Sequence, residues 1–233
     1  MSQHSPSKKL ILFDIDGTLL LTGGAGKAAF DRTFHELHGV LEVWQGINPD
    51  GKTDPLIIEE LFLKQWGRKP KAHEEKAVEA RYSFHMEQAL QQAPKFRLMA
   101  GISELLLALK DRQLGYLGLA TGNYEATAWM KLKRAGLERF FNFGGFGSDT
   151  RDRLALTRLA MERGMAHLGS RIHPEDVWVV GDTIHDIRCG KLLGATTVAV
   201  ATGSTPWDIL QKARPDFLLE NFGDLEESLT IFL

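Results

Sequence analysis

The chain has 233 residues and a formal net charge of −2, and 43% of its residues are hydrophobic. This length suits one α/β domain with an insertion, and this share of hydrophobic residues is enough for a large core. Because the charge is nearly neutral, it offers no general attraction to polyanions, so we expect neither a nucleic-acid partner nor binding to an acidic membrane surface.

The amino-terminal segment, Met1 to Lys9, is polar, and no apolar segment of the kind found in signal peptides follows it. No uninterrupted apolar stretch in the chain approaches the length of a membrane span. We therefore expect a cytoplasmic protein that does not associate with membranes. Its single cysteine, Cys189, excludes an internal disulfide framework and is expected to pack in the interior.

The first predicted element is a strand that ends in acidic residues. The apolar run 10–13 leads into Asp14, Ile15, Asp16 and Gly17. In extended geometry Asp14 and Asp16 project to the same side, so two carboxylates share one small site. Burying both is costly without a metal ion or a shift in pKa. An alternative is that the turn merely ends the strand, with Gly17 supplying a positive φ angle.

The next region, residues 22–95, shows helical periodicity and no convincing strand. Pro55, preceded by the candidate caps Thr53 and Asp54, predicts one helix start, and a long helix is predicted from Ala72 to Gln92. Turn-forming residues at each end of the region predict flexible connections to the rest of the chain.

From Gly101 onward the predicted strands and helices alternate, which indicates right-handed βαβ units and a doubly wound, mostly parallel sheet. Strands are predicted near 9–14, 115–120, 143–146, 177–181, 196–200 and 216–219, and helices near 102–112, 124–135, 153–163, 185–193, 205–212 and 223–230.

Two of these later strands also end in polar residues. One is followed by Thr121, Gly122 and Asn123, and another by Gly181 and Asp182 with Asp186 four residues further on. Thr121 could instead cap the next helix, and Asp186 could serve only the helix dipole. Because reactive groups gather at the carboxyl ends of strands in open α/β sheets, we expect these residues to share a pocket with Asp14.

Taken together, these segments resemble the haloacid dehalogenase-like hydrolase superfamily. Residues 10–18 resemble its first motif, hhhhDxDG(T/V), where h is apolar; residues 117–122 resemble its second, hhh(S/T)(G/N), and residues 181–186 its fourth, GDxxxD. The likeness is to the branch of phosphoglycolate phosphatase and β-phosphoglucomutase. It implies a Rossmann-like catalytic core, residues 1–21 and 96–233, and an α-helical cap domain, residues 22–95.

The resemblance implies a Mg²⁺-dependent hydrolase that cleaves a small phosphate monoester through an aspartyl-phosphate on Asp14. Asp16 would protonate the leaving group and then deprotonate water, and an acid at this position favours phosphate ester chemistry over dehalogenation. Mg²⁺ would be held by the carboxylates of Asp14 and Asp182 and by the backbone carbonyl of Asp16. The implied roles are catalysis by Asp14, Asp16, Thr121 and Arg153; substrate binding by Gly122, Asn123, Lys52 and Thr53; metal binding by Asp14, Asp16 and Asp182; and support by Asp186.

The family's cation that neutralises the phosphate commonly lies in a Lys-Pro-x-Pro context, which this chain lacks. Arg153 is favoured for this role and Arg151 comes second, while Lys191 stays open as a third candidate. An arginine would be a permanent, bidentate partner of phosphate.

Substrate choice and oligomeric state are less constrained. Lys52 could bind a substrate carboxylate or a second phosphate, or be solvated; Arg81 and His85 could face the cleft or the solvent. A monomer or a homodimer is expected.

The alternative reactions are a phosphomutase of the β-phosphoglucomutase type and a phosphonoacetaldehyde hydrolase, which needs a Schiff-base lysine such as Lys27 or Lys52. A receiver domain would be much shorter, and a non-catalytic regulator would not need the complete acid motifs.

Overall fold

The computed structural model describes residues 9–233, so the polar segment noted at the amino terminus lies outside the described residues except for Lys9. In chain order the strands are β1 (Leu10–Phe13), β2 (Leu20–Leu21), β3 (Arg97–Leu98), β4 (Tyr116–Ala120), β5 (Gly144–Gly145), β6 (Val177–Gly181), β7 (Thr196–Val200) and β8 (Phe217–Leu219). The α-helices are α1 (Ala25–His38), α2 (Asp54–Trp66), α3 (Ala72–Gln91), α4 (Ile102–Asp111), α5 (Glu125–Ala135), α6 (Arg153–Leu168), α7 (Ile184–Leu192), α8 (Trp207–Lys212) and α9 (Leu225–Thr230).

Six of the strands form one parallel sheet in the order β5-β4-β1-β6-β7-β8. All four residues of β1 are fully buried, as expected for a central strand that is covered on both faces. Successive side chains alternate between these faces. Ile11 and Phe13 pack in the cluster that includes α4, α5 and α9, whereas Leu10 and Leu12 pack in the cluster that includes α6.

The register of the central strands fixes where the functional groups lie. Phe13 is level with Leu119 of β4 and with Val180 of β6. The residues that follow these three strands therefore emerge at the same edge of the sheet, at its carboxyl end. The amide of Asp14 still donates to the carbonyl of Val180, at 2.9 Å, so the strand pairing continues up to the first acidic residue.

The predicted α/β fold class, a doubly wound and mostly parallel sheet, is confirmed. The main differences lie at element ends. Helix α6 runs on to Leu168, five residues beyond its predicted end, because its buried residues extend to Gly164. The antiparallel pair formed by β2 and β3 was not predicted, since two residues in each strand are too few to show an alternating pattern.

The helical region expected between residues 22 and 95 contains α1, α2 and α3, which surround their own hydrophobic cluster with Phe30, Phe34 and Phe62 among its buried members. The chain enters this region after β2 and leaves it before β3, and these two strands pair with each other, with Leu20 opposite Leu98. We call residues 22–95 the helical insertion; its status as a separate cap domain stays a prediction. Among the described residues, no helix is both long and apolar enough to cross a membrane.

Candidate active site

The loops that follow β1, β4 and β6 meet the helical insertion around a pocket of about 300 Å³. Core residues and insertion residues both line it. On the core side are Asp14, Asp16, Thr121, Gly122, Asn123, Lys131, Arg153, Asp182 and Thr183; on the insertion side are Thr22, Gly24, Gly26, Lys27, Phe30, Trp44, Pro49, Asp50, Gly51, Lys52, Asp54, Ile57 and Tyr82.

Three buried carboxylates form the base of the site. Asp14, Asp182 and Asp186 each offer an oxygen that lies within 4.8 Å of the other two. Burial raises the pKa of Asp182 to about 8, and the neighbouring Asp14 contributes to this rise. Burial also raises the pKa of Asp14 to about 6, although the charge of Arg153 opposes the shift. Folding therefore favours the protonated forms of these two carboxyl groups unless a cation besides Arg153 compensates them.

Asp182 occupies a narrow space between two glycines. A Cβ on Gly17 would lie 2.4 Å from its Oδ2, and one on Gly203 would lie 1.6 Å from the same atom. Thr18 donates to Oδ1 of Asp182 at 3.1 Å, but no described residue donates a hydrogen bond to Oδ2. An uncompensated oxygen-only donor set of this kind fits a hard divalent cation such as Mg²⁺.

Arg153 lies between two of these acids and is buried. Its Nη2 donates to Oδ2 of Asp14 and to Oδ1 of Asp186, both at 2.7 Å. Burial acts to lower the pKa of the guanidinium, but the two carboxylates outweigh it and raise that pKa. Thr183 binds the other oxygen of Asp186 through its amide and hydroxyl, at 3.1 and 2.7 Å. Asp186 therefore positions Arg153, which supports Arg153 as the cation of the site.

The other two candidate cations have different partners. Arg151 is partly exposed and pairs with Glu75 of α3 at 2.5 Å, on the insertion. Lys191 donates to the carbonyl of Ala213 at 3.0 Å, at the protein surface. Neither is among the residues that line the pocket.

Asp16 belongs to a second polar network beside the acidic cluster. Its Oδ2 accepts from Nδ2 of Asn123 at 2.8 Å and from Nζ of Lys131 at 2.6 Å. Asn123 also donates to the hydroxyl oxygen of Thr121 at 2.7 Å. Since the carboxylate of Asp16 faces this network, the predicted metal contact rests on its backbone carbonyl and stays a prediction.

Lys131 is the residue that sequence reasoning missed. It is almost completely buried, and its Nζ bridges Asp16 and Oδ1 of Asn123. A signal was present in the sequence, because Lys131 shares the buried face of α5 with Thr127 and Ala128, where an apolar residue is expected. A lysine at such a position needs a buried acceptor.

The loop of the insertion that precedes α2 lies directly on the core. The amide of Asp54 donates to the carbonyl of Gly122 at 2.7 Å, and the amide of Tyr124 donates to Oδ2 of Asp54 at 2.8 Å. A Cβ on Gly122 would lie 2.3 Å from the carbonyl oxygen of Lys52, so only glycine permits this approach. Burial raises the pKa of Asp54 to about 6.

Two predicted substrate-binding residues of this loop already have partners. Lys52 lines the pocket, but its Nζ forms an ion pair with Glu60 of α2 at 2.5 Å. Thr53 caps α2 and donates to the carbonyl of Arg151 at 3.2 Å, and it is not among the described residues that line the pocket. The structure therefore brings Gly122 and Asn123 to the pocket fully, Lys52 as a paired group, and Thr53 not at all.

Arg81 and His85 also lie away from the cleft. Both bind the carboxylate of Glu36 on α1, at 2.6 and 2.7 Å. They link α3 to α1 through Glu36, and neither is among the residues that line the pocket.

This fold and site correspond to a known class of enzyme. Residues 11–200 match the family model described as haloacid dehalogenase-like hydrolase. The chain belongs to this family, and its predicted enzyme class, a hydrolase of the phosphatase type, is confirmed.

Named relatives extend over nearly the whole chain. The phosphoglycolate phosphatase of Synechococcus elongatus is 28% identical, over 94% of this chain and 96% of its own. The pyrophosphatase PpaX of Oceanobacillus iheyensis is 27% identical, over 94% and 95%. Among solved structures, a hydrolase from Pseudomonas syringae is similar with a TM-score of 0.73 and 22% identity, covering 96% of this chain and 99% of its own. CbbY from Rhodobacter sphaeroides, solved with phosphate, has a TM-score of 0.71 and 20% identity, covering 94% and 96%.

Proposed function

We propose that this protein is a Mg²⁺-dependent phosphatase that hydrolyses a small phosphate monoester through a phosphoryl group carried on Asp14. One observation carries the proposal: the carboxylate of Asp14 contacts Arg153 within an acidic cluster at the base of a pocket. The names of the relatives agree with phosphate chemistry.

Asp14 is prepared for nucleophilic attack. Its Oδ1 accepts from the amide of Ile15 at 2.8 Å and its Oδ2 accepts from Arg153, so the carboxylate is fixed in orientation. An oxygen of Asp14 attacks phosphorus, and the bond from phosphorus to the ester oxygen breaks. This replaces one difficult displacement by two easier ones. Arg153 offers further N–H groups to the oxygens of the transferring phosphoryl group.

We assign Asp16 the role of general acid and general base. Its side chain is 43% exposed, so it reaches the pocket while Asn123 and Lys131 hold its Oδ2. It gives a proton to the departing alkoxide and later takes one from the water that attacks the phosphoryl group, which releases phosphate and regenerates Asp14. Because Thr121 accepts from Asn123, its own O–H is available to a phosphoryl oxygen.

The carboxylates of Asp14 and Asp182, with the backbone carbonyl of Asp16, would hold the metal ion. When bound, Mg²⁺ supplies charge neutralisation for the phosphoryl oxygens. Asp186 does not need to bind the ion directly, because both of its oxygens already have partners in Arg153 and Thr183.

The test is phosphate release from a panel of phosphoglycolate, sugar phosphates, nucleotides and pyrophosphate, with Mg²⁺ and with EDTA. We expect Mg²⁺-dependent release by the wild type and loss of at least about 10³-fold in Asp14→Asn, because the nucleophile is removed. Asp208→Asn is the matched control, since Asp208 is exposed and forms a surface ion pair with Lys212. Normal turnover by Asp14→Asn would overturn the proposal.

Two additional arms test the alternative reactions. A phosphomutase would form the isomeric sugar phosphate faster than it releases phosphate. A phosphonoacetaldehyde hydrolase would be inactivated by borohydride in the presence of phosphonoacetaldehyde, through a lysine in the pocket such as Lys27 or Lys52. We expect neither outcome.

A further inference from the structure

The insertion side of the pocket contains polar groups that have no hydrogen-bond partner among residues 9–233. Lys27 lines the pocket, and no described residue forms an ion pair or hydrogen bond with its ammonium group. It differs in this from the other pocket cations, since Lys52 pairs with Glu60, Lys131 with Asp16, and Arg153 with Asp14 and Asp186.

Lys27 lies in the first turn of α1, and that turn is open towards the pocket. The residue before helix α1, Gly24, has φ 93° and no side chain that could cap the helix, and the first turn contains no acidic residue. Within the described chain, the amides of Gly26 and Lys27 have no hydrogen-bond acceptor, whereas those of Ala25 and Ala28 donate to Thr22 and Gly24. Free amides at a helix start, together with the helix dipole, favour an anion.

Tyr82 of α3 is a second, independent indication of a ligand here. Its side chain is only 2% exposed, it lines the same pocket, and its hydroxyl forms no hydrogen bond with a described residue. The hydroxyl oxygen lies 3.7 Å from the position of a Cβ on Gly26. Because this O–H lies at the pocket wall and no described residue accepts it, it is free to donate to a bound molecule.

Neighbouring aromatic rings hold the Tyr82 hydroxyl in place. The ring of Tyr82 stacks on Phe30 with centroids 3.9 Å apart, and Phe30 stacks on Trp44 at 5.1 Å. Phe30 and Trp44 also line the pocket. The donor is therefore positioned before a ligand arrives, which reduces the entropy cost of binding.

We propose that Lys27, the open first turn of α1 and the Tyr82 hydroxyl form a second anion-binding subsite. This inference rests on the proposed function, since it assigns the far end of the same pocket. The substrate is then a phosphate ester whose leaving group ends in a second anionic group, either a carboxylate or a phosphate. The acids that line the pocket do not prevent this, because Asp14 pairs with Arg153, Asp16 pairs with Lys131, and Asp54 accepts from the amide of Tyr124.

Binding of non-hydrolysable phosphonates tests the subsite without turnover. Isothermal titration with Mg²⁺ compares 3-phosphonopropionate with propylphosphonate, which has a methyl group in place of the carboxylate. We expect the wild type to bind 3-phosphonopropionate at least about tenfold more tightly, the effect of one charged hydrogen bond. A third probe, 1,3-propanediphosphonate, shows whether carboxylate or phosphate is the preferred distal anion.

Two variants assign this preference to its residues. Lys27→Met should reduce the ratio of the two affinities roughly tenfold, and Tyr82→Phe roughly threefold, because each removes one donor. The matched controls are Lys76→Met, at an exposed position on α3, and Tyr124→Phe, which removes a buried hydroxyl that does not line the pocket. Both controls should keep the wild-type ratio.

The subsite and the proposed function can fail separately. If the wild type shows no carboxylate or phosphate preference, including no measurable binding of any probe, the subsite is wrong. It is also wrong if Lys27→Met weakens all the probes equally. If the preference depends on Lys27 but no ester is hydrolysed, the subsite stands and the proposed phosphatase activity is wrong. With active enzyme, the ratio of kcat/KM for phosphoglycolate to that for ethyl phosphate should fall in Lys27→Met in parallel with the affinity ratio.

Discussion

The two ends of the pocket are built differently. At the core end, charged groups bind one another: Arg153 contacts Asp14 and Asp186, and Lys131 contacts Asp16. At the insertion end, Lys52 pairs with Glu60, but the ammonium of Lys27 and the hydroxyl of Tyr82 have no hydrogen-bond partner among the described residues. Groups that satisfy each other are held in a fixed geometry, as catalysis requires, whereas groups left unsatisfied gain from a ligand. Under the proposed function, this contrast separates the residues expected to carry out the chemistry from those expected to select the substrate.

After removal of the nucleophile Asp14, the largest effect is expected from Arg153, which pairs with two carboxylates at the core end. Arg153→Met leaves two buried carboxylates without their cation, so we expect a loss of about 3 kcal/mol in the free energy of unfolding. We also expect turnover to fall by about 10²–10³-fold, because a phosphoryl-binding donor is lost. Denaturant unfolding and steady-state kinetics measure the two effects.

Arg151→Met provides the matched control for this variant. Arg151 lies two residues away, and its partners, Glu75 and Glu59, are near the surface. Exposed ion pairs contribute only about 0–1 kcal/mol, so this variant should stay close to the wild type. Equal losses in both variants would contradict the assignment of the cation to Arg153.

A smaller and more selective effect is expected from Asp16. Asp16→Asn cannot protonate a leaving group, so kcat/KM for an alkyl phosphate should fall by about 10²-fold. With p-nitrophenyl phosphate, whose leaving group needs no proton, the loss in kcat/KM should be much smaller. Parallel losses for both esters would show that Asp16 does not act as the acid.

Lys131 tests how far the polar network around Asp16 supports that proton transfer. Lys131→Met removes a cation that binds both Asp16 and Asn123, so kcat should fall by about 10–10²-fold. Lys133→Met, at an exposed position on the same helix, is the control and should keep the wild-type kcat. A Lys131→Met enzyme with unchanged kcat would limit Lys131 to a structural role.

The smallest effect concerns stability without metal. The pKa of Asp182 is raised from 3.8 to about 8, so folding favours its protonated form. Its contribution to stability is fully present below pH 3.8 and is lost as the pH rises through about 8. The Tm of the metal-free protein should therefore fall by roughly 5–10 °C between about pH 6 and about pH 9.

Two comparisons sharpen this stability measurement. Asp182→Asn should flatten the pH dependence of the Tm, whereas Asp208→Asn should not. Mg²⁺ should raise the Tm of the wild type most at high pH, where the carboxylate is ionised. A pH dependence unchanged by Asp182→Asn would contradict the role given to this carboxylate.

The part of the site that could be predicted from the sequence is the part formed by residues at strand ends. Asp14, Thr121 and Asp182 each follow a strongly apolar strand, so strand pairing alone brings them to one edge of the sheet. Lys131 was not predicted, because its acidic partner Asp16 lies 115 residues away in sequence. Lys52 and Thr53 lie in the expected loop, but Lys52 pairs with Glu60 of the helix that follows, and the partner of Thr53, Arg151, is 98 residues away. Contacts between residues that are distant in sequence leave no local pattern from which they could be predicted.

The central claim is that Asp14 receives the phosphoryl group, and trapping that group tests it most directly. Rapid quenching during turnover, followed by reduction with labelled borohydride, converts an aspartyl-phosphate to homoserine that peptide mapping can locate. We expect labelled homoserine at position 14 in the wild type and none in Asp14→Asn. Label at another position, or steady turnover with no label at all, would contradict it.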